Sequence, residues 1–356
     1  MQVGIEYTLA ARHAPGPGRY VRELVRALVQ LADRPEISLF EGGRSPRILG
    51  AAALGLDGAE GVRRRSVRLP RRLIEAGCGI GFGLDRWLEG IDVLHHAQLS
   101  KLRSTRVREV IPAAEFPASS DLERVRNAWR VLVFSRFMAA ALADRGVDPD
   151  RIAVVPVGAD HWARELVAAP PRDVPPVIAV LGAVRATRYQ HVVLAACERL
   201  RARGLEVTLD LLGRAPASDA PFVAAAARSP MRDAISISTP SEPEIPARLA
   251  RASVLVHLED APGTPVTPLE ALSLGVPVVC NRADAFVEAL DGAARFVDEF
   301  ADPAVLADVI AAAIERRDEG VERRRATAAP FTWAANARAT VEVWRQGAPA
   351  ASSSGR

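Results

Sequence analysis

The stretch Val177-Ile178-Ala179-Val180-Leu181-Gly182-Ala183-Val184-Arg185-Ala186-Thr187-Arg188 decides the fold. Five consecutive apolar residues read as a strand buried on both faces. Gly182 ends the run, and residues 189–203 follow with the spacing of an amphipathic helix. The alternation then continues, with strands predicted over 207–212, 234–238, 254–258, 276–280 and 294–297. Helical segments fill the gaps, including 303–317 with Asp302 as its N-cap. Repeated strand–helix–strand units predict a parallel sheet covered on both sides.

Upstream, Pro170-Pro171-Arg172-Asp173-Val174-Pro175-Pro176 reads as a linker. The first half repeats the α/β pattern less regularly. Residues 2–7 form a strand-like run, followed by the turn Pro15-Gly16-Pro17-Gly18 and a helical pattern from Arg19. Further strands are predicted over 91–94, 108–111, 131–134 and 152–156. The expected domains are 1–169, completed by a C-terminal helix over 333–346, and 176–332, with a disordered tail over 347–356. Two such halves are expected to face each other across a ligand cleft at the carboxyl ends of their strands.

Composition narrows the chemistry. The chain has 356 residues, 49% hydrophobic and 25% charged, which suits a two-domain globular protein. Of 46 basic residues, only Lys101 is a lysine. No Gly-Lys-Ser/Thr exists, so a P-loop of the usual kind is excluded, and any lysine Schiff base would have to use Lys101. With 43 acidic residues the net charge is only +3, and aromatics are 5%, which argues against a nucleic-acid partner. Cys78, Cys197 and Cys280 have neither metal spacing nor an even count. With no signal-peptide pattern and no span-length apolar run, they predict a cytoplasmic protein. Arg63, Arg64, Arg65, Arg68, Arg71 and Arg72 form a basic cluster. It reads either as a solvated loop or as an anion, acceptor or membrane-surface patch. The second reading would place the protein at the inner membrane face.

Four features could carry chemistry. Gly16 and Gly18 allow a tight turn or a close approach of backbone amides to a ligand. Arg185 and Arg188, after a strand, suit diphosphate oxygens. In Ala261-Pro262-Gly263-Thr264-Pro265-Val266-Thr267-Pro268-Leu269-Glu270, a Gly/Pro loop runs into a helix. Thr267, Pro268 and Glu270 fit a capping box, while Glu270 could instead accept sugar hydroxyls. His95 in Asp92-Val93-Leu94-His95-His96 is either a polar site residue or a packed structural histidine. Asp148-Pro149-Asp150 is better explained as a prolyl loop than as a metal motif. Gly77, Gly79, Gly81 and Gly83 lack the strand a dinucleotide fingerprint needs.

With these pieces placed, the chain resembles a family 4 glycosyltransferase (glycosyl transferases group 1) of the GT-B fold. Gly16-Pro17-Gly18-Arg19-Tyr20 is similar to the family's N-terminal turn, and Asp92 to His95 resembles its Asp-Val-Val-His. Phe134-Ser135, the run from Ile152 to Asp160, and Phe331-Thr332-Trp333 resemble further family segments. Leu269-Glu270-Ala271-Leu272 and Gly275-Val276-Pro277-Val278-Val279 resemble the signature block.

The resemblance implies retaining, metal-independent and cofactor-free transfer of a hexosyl-type group from a nucleotide-sugar. The acceptor would be a sugar, a lipid-linked molecule or a small molecule, in bacterial-type envelope or polysaccharide assembly. It implies catalytic roles for His95 and Arg188, and donor contacts from Gly16, Gly18, Arg185, Arg188, Gly263, Thr264 and Glu270. It also marks departures that make the signature motif degenerate. Pro262 stands at the first signature glutamate, Ala183 at the family's arginine, Val157 at its asparagine, and Ala113, Ala114 and Glu115 at its His-Asp. These departures leave open a GT-B protein that only binds, or serves as a partner subunit. Other GT-B chemistry, such as epimerisation or phosphorolysis, is a third reading.

Overall fold

The computed structural model describes residues 1–43, 49–165, 174–216, 220–260 and 263–346. The chain forms two compact units, one of Met1–Gly158 with Trp333–Arg356, the other of Ala159–Thr332. The division falls before the proline-rich stretch, of which 170–173 lie outside the described residues. The reason is packing, since Ala159 and Trp162 are buried in a core of the second unit. The helix Trp333–Arg345 belongs to the first unit and packs against the helix Pro17–Leu28. The predicted tail, 347–356, lies outside the described residues.

The first unit holds β1 (Gln2–Glu6), β2 (Glu36–Gly42), β3 (Val62–Val67), β4 (Val93–His95), β5 (Arg108–Pro112), β6 (Arg130–Val133) and β7 (Ile152–Val154). They make one parallel sheet in the order β3-β2-β1-β4-β5-β6-β7. The basic cluster is not a loop. Arg63, Arg64 and Arg65 lie in β3, the edge strand, where charge discourages pairing with another chain.

The second unit holds β8 (Val177–Leu181), β9 (Thr208–Leu212), β10 (Ile235–Ser238), β11 (Val254–His257), β12 (Val278–Asn281) and β13 (Arg295–Val297). Its sheet is also parallel, in the order β10-β9-β8-β11-β12-β13. Strand alternation divides the core into two layers. Ile178 and Val180 enter one cluster, Ala179 and Leu181 the other. Both faces are therefore covered, as the unbroken apolar run of β8 predicts. Asp302 caps the helix Pro303–Glu315 by accepting a hydrogen bond from the Ala304 amide at 2.7 Å.

In each sheet the order reverses direction next to the first strand, between β1 and β4 and between β8 and β11. Such topological switch points are where open parallel sheets receive ligands.

Candidate functional site

At the second unit's switch point, β8 leads into a turn over Gly182–Arg185 and a short 3-10 turn, Ala186–Arg188. Gly182 has φ +121°, a region that disfavours side chains. The Arg188 guanidinium fills the space beside it, because a Cβ on Gly182 would stand 2.0 Å from Arg188 Nη1. Arg188 thereby folds back over the end of β8, 3.5 Å from the Leu181 carbonyl. Its Nη2 lies 3.6 Å from Glu259 Oε1, just past the end of β11. Glu259 Oε2 in turn lies 3.6 Å from His257 Nε2.

The two loops are stitched together. The Asp260 amide donates to the Thr187 carbonyl at 3.2 Å, and the Tyr189 hydroxyl donates to Asp260. Tyr189 holds φ +53°, a left-handed conformation uncommon for a bulky residue. Asn281, buried at the end of β12, clamps the Glu259 backbone by accepting from its amide and donating to its carbonyl, each at 3.0 Å. Glu259 is thus a held residue with a partly exposed carboxylate.

The electrostatics suit that arrangement. Burial acts to raise the Glu259 pKa, but His257, Arg188 and Arg185 outweigh it and hold the carboxyl below its usual value. Burial pushes the His257 pKa down despite the neighbouring carboxylate, which favours a neutral imidazole. An ionised carboxylate beside arginine can accept hydrogen bonds from ligand hydroxyls while the guanidinium faces an anion.

The structure places the expected residues unevenly. Arg185 and Arg188 both lie on the segment that follows β8 at this switch point. Gly263 and Thr264 lie on the loop after β11, while Ala261 and Pro262 fall outside the described residues. The expected capping box does not form. The helix Val266–Ser273 starts one residue before Thr267, with Pro265 at its N-cap and no side-chain cap. Pro268 is tolerated there because first-turn amides need no intrahelical acceptor. Glu270 is fully buried, its Oε1 3.4 Å from His161 Nε2 on the helix His161–Glu165. It therefore presents no open carboxylate in this structure.

Three expected residues belong to the first unit. Gly16 has φ +64° and caps the helix Pro17–Leu28. Gly18 is there for close packing, since a Cβ would stand 2.8 Å from the Leu9 carbonyl oxygen. His95 is a structural histidine, which corrects its expected catalytic role. It is fully buried, and the Trp344 indole N–H donates to its Nδ1 at 3.3 Å. That bond leaves the proton on Nε2, which donates to the Tyr20 hydroxyl at 3.2 Å. Both ring nitrogens are engaged, so neither is available to a substrate.

Burial pushes the His95 pKa down from 6.5 to about 3, with the neighbouring His96 adding to the effect. The unfolded chain therefore binds a proton that the folded chain refuses between these values. Stability is expected to be full above pH 6.5 and to fall as pH drops towards 3. The loss by pH 5 is about 2 kcal/mol from this residue. Urea midpoints at pH 7 and pH 5, compared with those of His95→Asn, check it; an unchanged pH dependence in the variant would contradict the assignment.

His257, Asn281 and His161 carry no signal in the sequence. Glu259 and Asp260 stand near the place of the first signature glutamate but out of register with Glu270, and Glu259 follows a strand directly. Among the described residues no group of three His, Cys, Asp or Glu side chains is placed to hold a metal ion. Nor is any helix among them long and apolar enough to cross a membrane.

Comparison with known proteins bears on the family and the fold. Residues 175–316 match the family described as glycosyl transferases group 1. No curated protein matches the sequence. Among solved structures, HepE of Anabaena in complex with UDP and glucose is 14% identical, with a TM-score of 0.69 over 97% of this chain and 99% of that one. Sucrose-phosphate synthase from Thermosynechococcus elongatus is 15% identical, with a TM-score of 0.72 over 97% and 98%. The lipopolysaccharide outer core galactosyltransferase WaaB is 16% identical, with a TM-score of 0.63 over 97% and 99%. At these identities the likeness is one of fold. The chain has the GT-B architecture of two Rossmann-like, parallel-sheet α/β units.

Proposed function

We propose that the protein is a glycosyltransferase that moves a hexosyl-type group from a nucleotide-sugar to a hydroxyl-bearing acceptor. The observation that carries this reading is the pairing of Arg188 with Glu259 at the β8/β11 switch point, inside the segment that matches the family. Arg188 and Arg185 are assigned to the donor diphosphate, where negative charge develops as the sugar departs. Preorganised cations there lower the barrier without reorganising water. Because the two guanidiniums supply positive charge, the transfer is proposed to run without a metal ion. Glu259 is assigned to hydroxyls of the transferred sugar. It offers a carboxylate near the place where the resemblance leaves Pro262. Transfer is proposed to retain anomeric configuration, as the resemblance implies. A relative in fold, HepE, has been solved with UDP-glucose, which supports a uridine nucleotide as the first donor to try.

Thermal shift with UDP, GDP, ADP and dTDP tests the site directly. One nucleotide at about a hundredfold excess over its Kd is expected to raise Tm by roughly 5 °C. Arg188→Ala should abolish or shrink that response, whereas Glu259→Gln should leave it in place and instead lower turnover of the nucleotide-sugar. If none of the four moves Tm, the reading fails. If nucleotide binds but no UDP-sugar or other nucleotide-sugar is turned over, the protein is instead a catalytically silent binding or partner protein.

A further inference from the structure

Of the eight large apolar side chains exposed among the described residues, four fall within residues 69–82. Leu69 is 42% exposed, Leu73 58%, Ile80 89% and Phe82 37%. They surround the helix Arg71–Gly79, which follows the edge strand β3. Ile74 and Cys78 face inward, so the opposite face carries Arg72, Leu73 and Ala76 and leads to Ile80. The outer face of this helix thus mixes Arg72 with the apolar Leu73 and Ala76, where a solvent-facing helix surface is ordinarily polar throughout.

Charge surrounds that face. Residues 62–86 contain seven arginines against Glu75 and Asp85. Four of the seven are engaged locally. Arg63 pairs with Glu36, Arg64 with Glu41 and Arg71 with Glu75, while Arg86 stacks 4.9 Å over the Phe82 ring. Arg65, Arg68 and Arg72 have no ion-pair partner among the described residues. Asp85 is buried and accepts hydrogen bonds from Ser104 and Thr105, so it neutralises nothing outside. Edge protection explains arginines on β3. It does not explain Leu73 and Ile80, which would make the same surface prone to association.

We propose that this face of the first unit docks on a membrane surface containing anionic lipid. The arginines complement phosphate headgroups, and Leu69, Leu73, Ile80 and Phe82 are placed to enter the headgroup–acyl boundary. Apolar contact and headgroup attraction together give reversible binding, of the kind a helix of this length can supply without spanning. The Phe82 ring packs edge-on against Trp87 at 4.8 Å, and the Phe82 amide donates to the Gly77 carbonyl at 2.8 Å. The turn that displays Ile80 is thereby held. This surface is independent of the β8/β11 site, and vesicle binding is read with no nucleotide-sugar present. Failure here leaves the transfer reading intact, and the reverse also holds.

The test is co-sedimentation of the full chain with vesicles. One set is phosphatidylcholine alone; the other contains about a third phosphatidylglycerol. The expected result is binding to the anionic vesicles at least tenfold tighter than to the neutral ones, weakened by high salt. Leu73→Ser with Ile80→Ser should reduce it at least tenfold. Arg65→Gln, Arg68→Gln and Arg72→Gln together should reduce it on the order of a hundredfold, at roughly fivefold per arginine. All five side chains are exposed or at the surface, so Tm should not change, and that measurement guards against misfolding. Equal sedimentation with both vesicle types, or variants that bind like the wild type, would overturn the proposal. So would a dimer in sedimentation velocity that the same variants abolish, if vesicles are not bound.

Discussion

Arg188→Ala is expected to lower kcat/KM for sugar transfer by about two to three orders of magnitude, the effect of removing one preorganised group from a developing charge. Arg188 is held by a device the substitution dismantles as a whole. The glycine at 182 leaves room for the guanidinium, and Glu259 faces it from the next strand's end. Without Arg188, Glu259 keeps a negative charge near the diphosphate, which opposes binding as well as catalysis. Arg188→Lys retains the charge but not the planar fork. It should recover part of the lost activity, mostly through KM. Steady-state kinetics with the donor found by thermal shift checks both variants. Equal kcat/KM in wild type and Arg188→Ala would remove this arginine from the mechanism.

Gly213→Ala is expected to destabilise the fold by about 3 kcal/mol, at the upper end for overpacking, and to abolish nucleotide binding as well. A Cβ on Gly213 would stand 2.0 Å from the Gly182 carbonyl oxygen and 2.4 Å from its carbon. These are backbone atoms at the end of β8, so no side chain can rotate away. The turn is also pinned on both sides, by the Gly182 amide to the Leu212 carbonyl at 3.0 Å and the Val184 amide to the Arg214 carbonyl at 3.0 Å. Relief must move the segment that carries Arg185 and Arg188. Urea unfolding gives the stability change, and thermal shift with nucleotide gives the site change. A variant as stable as the wild type would show that the contact is not tight.

The fold was largely legible from sequence, and unevenly so. β8 is legible from its five apolar residues, because a strand buried on both faces leaves an unbroken run. β3 carries no apolar strand pattern. It is an arginine-rich edge, where one side lacks a neighbour and composition follows solvent instead of pattern. The helix starts at Val266, two residues ahead of the start that Thr267-Pro268 suggests, because that pair imitates a cap that the folded chain does not use.

The candidate site was half legible. Arg185 and Arg188 could be found because they follow a recognisable strand, and strand ends are where ligands bind in such sheets. Glu259 could not be assigned a partner, since nothing in its local sequence says that β11 pairs beside β8. His95 could be read as packed or as reactive, and only its two ring contacts decide for packing.

Sequence alone determined two α/β halves and the arginines that end β8, because strand and helix periodicity and turn chemistry are local properties. Tertiary structure decided which distant groups meet. It put Arg188 against Glu259, His161 against Glu270 and Trp344 against His95, and it turned Leu73 and Ile80 outward beside the edge strand. These facts depend on strand order and on the burial it produces, and neither is encoded in any single stretch of the chain.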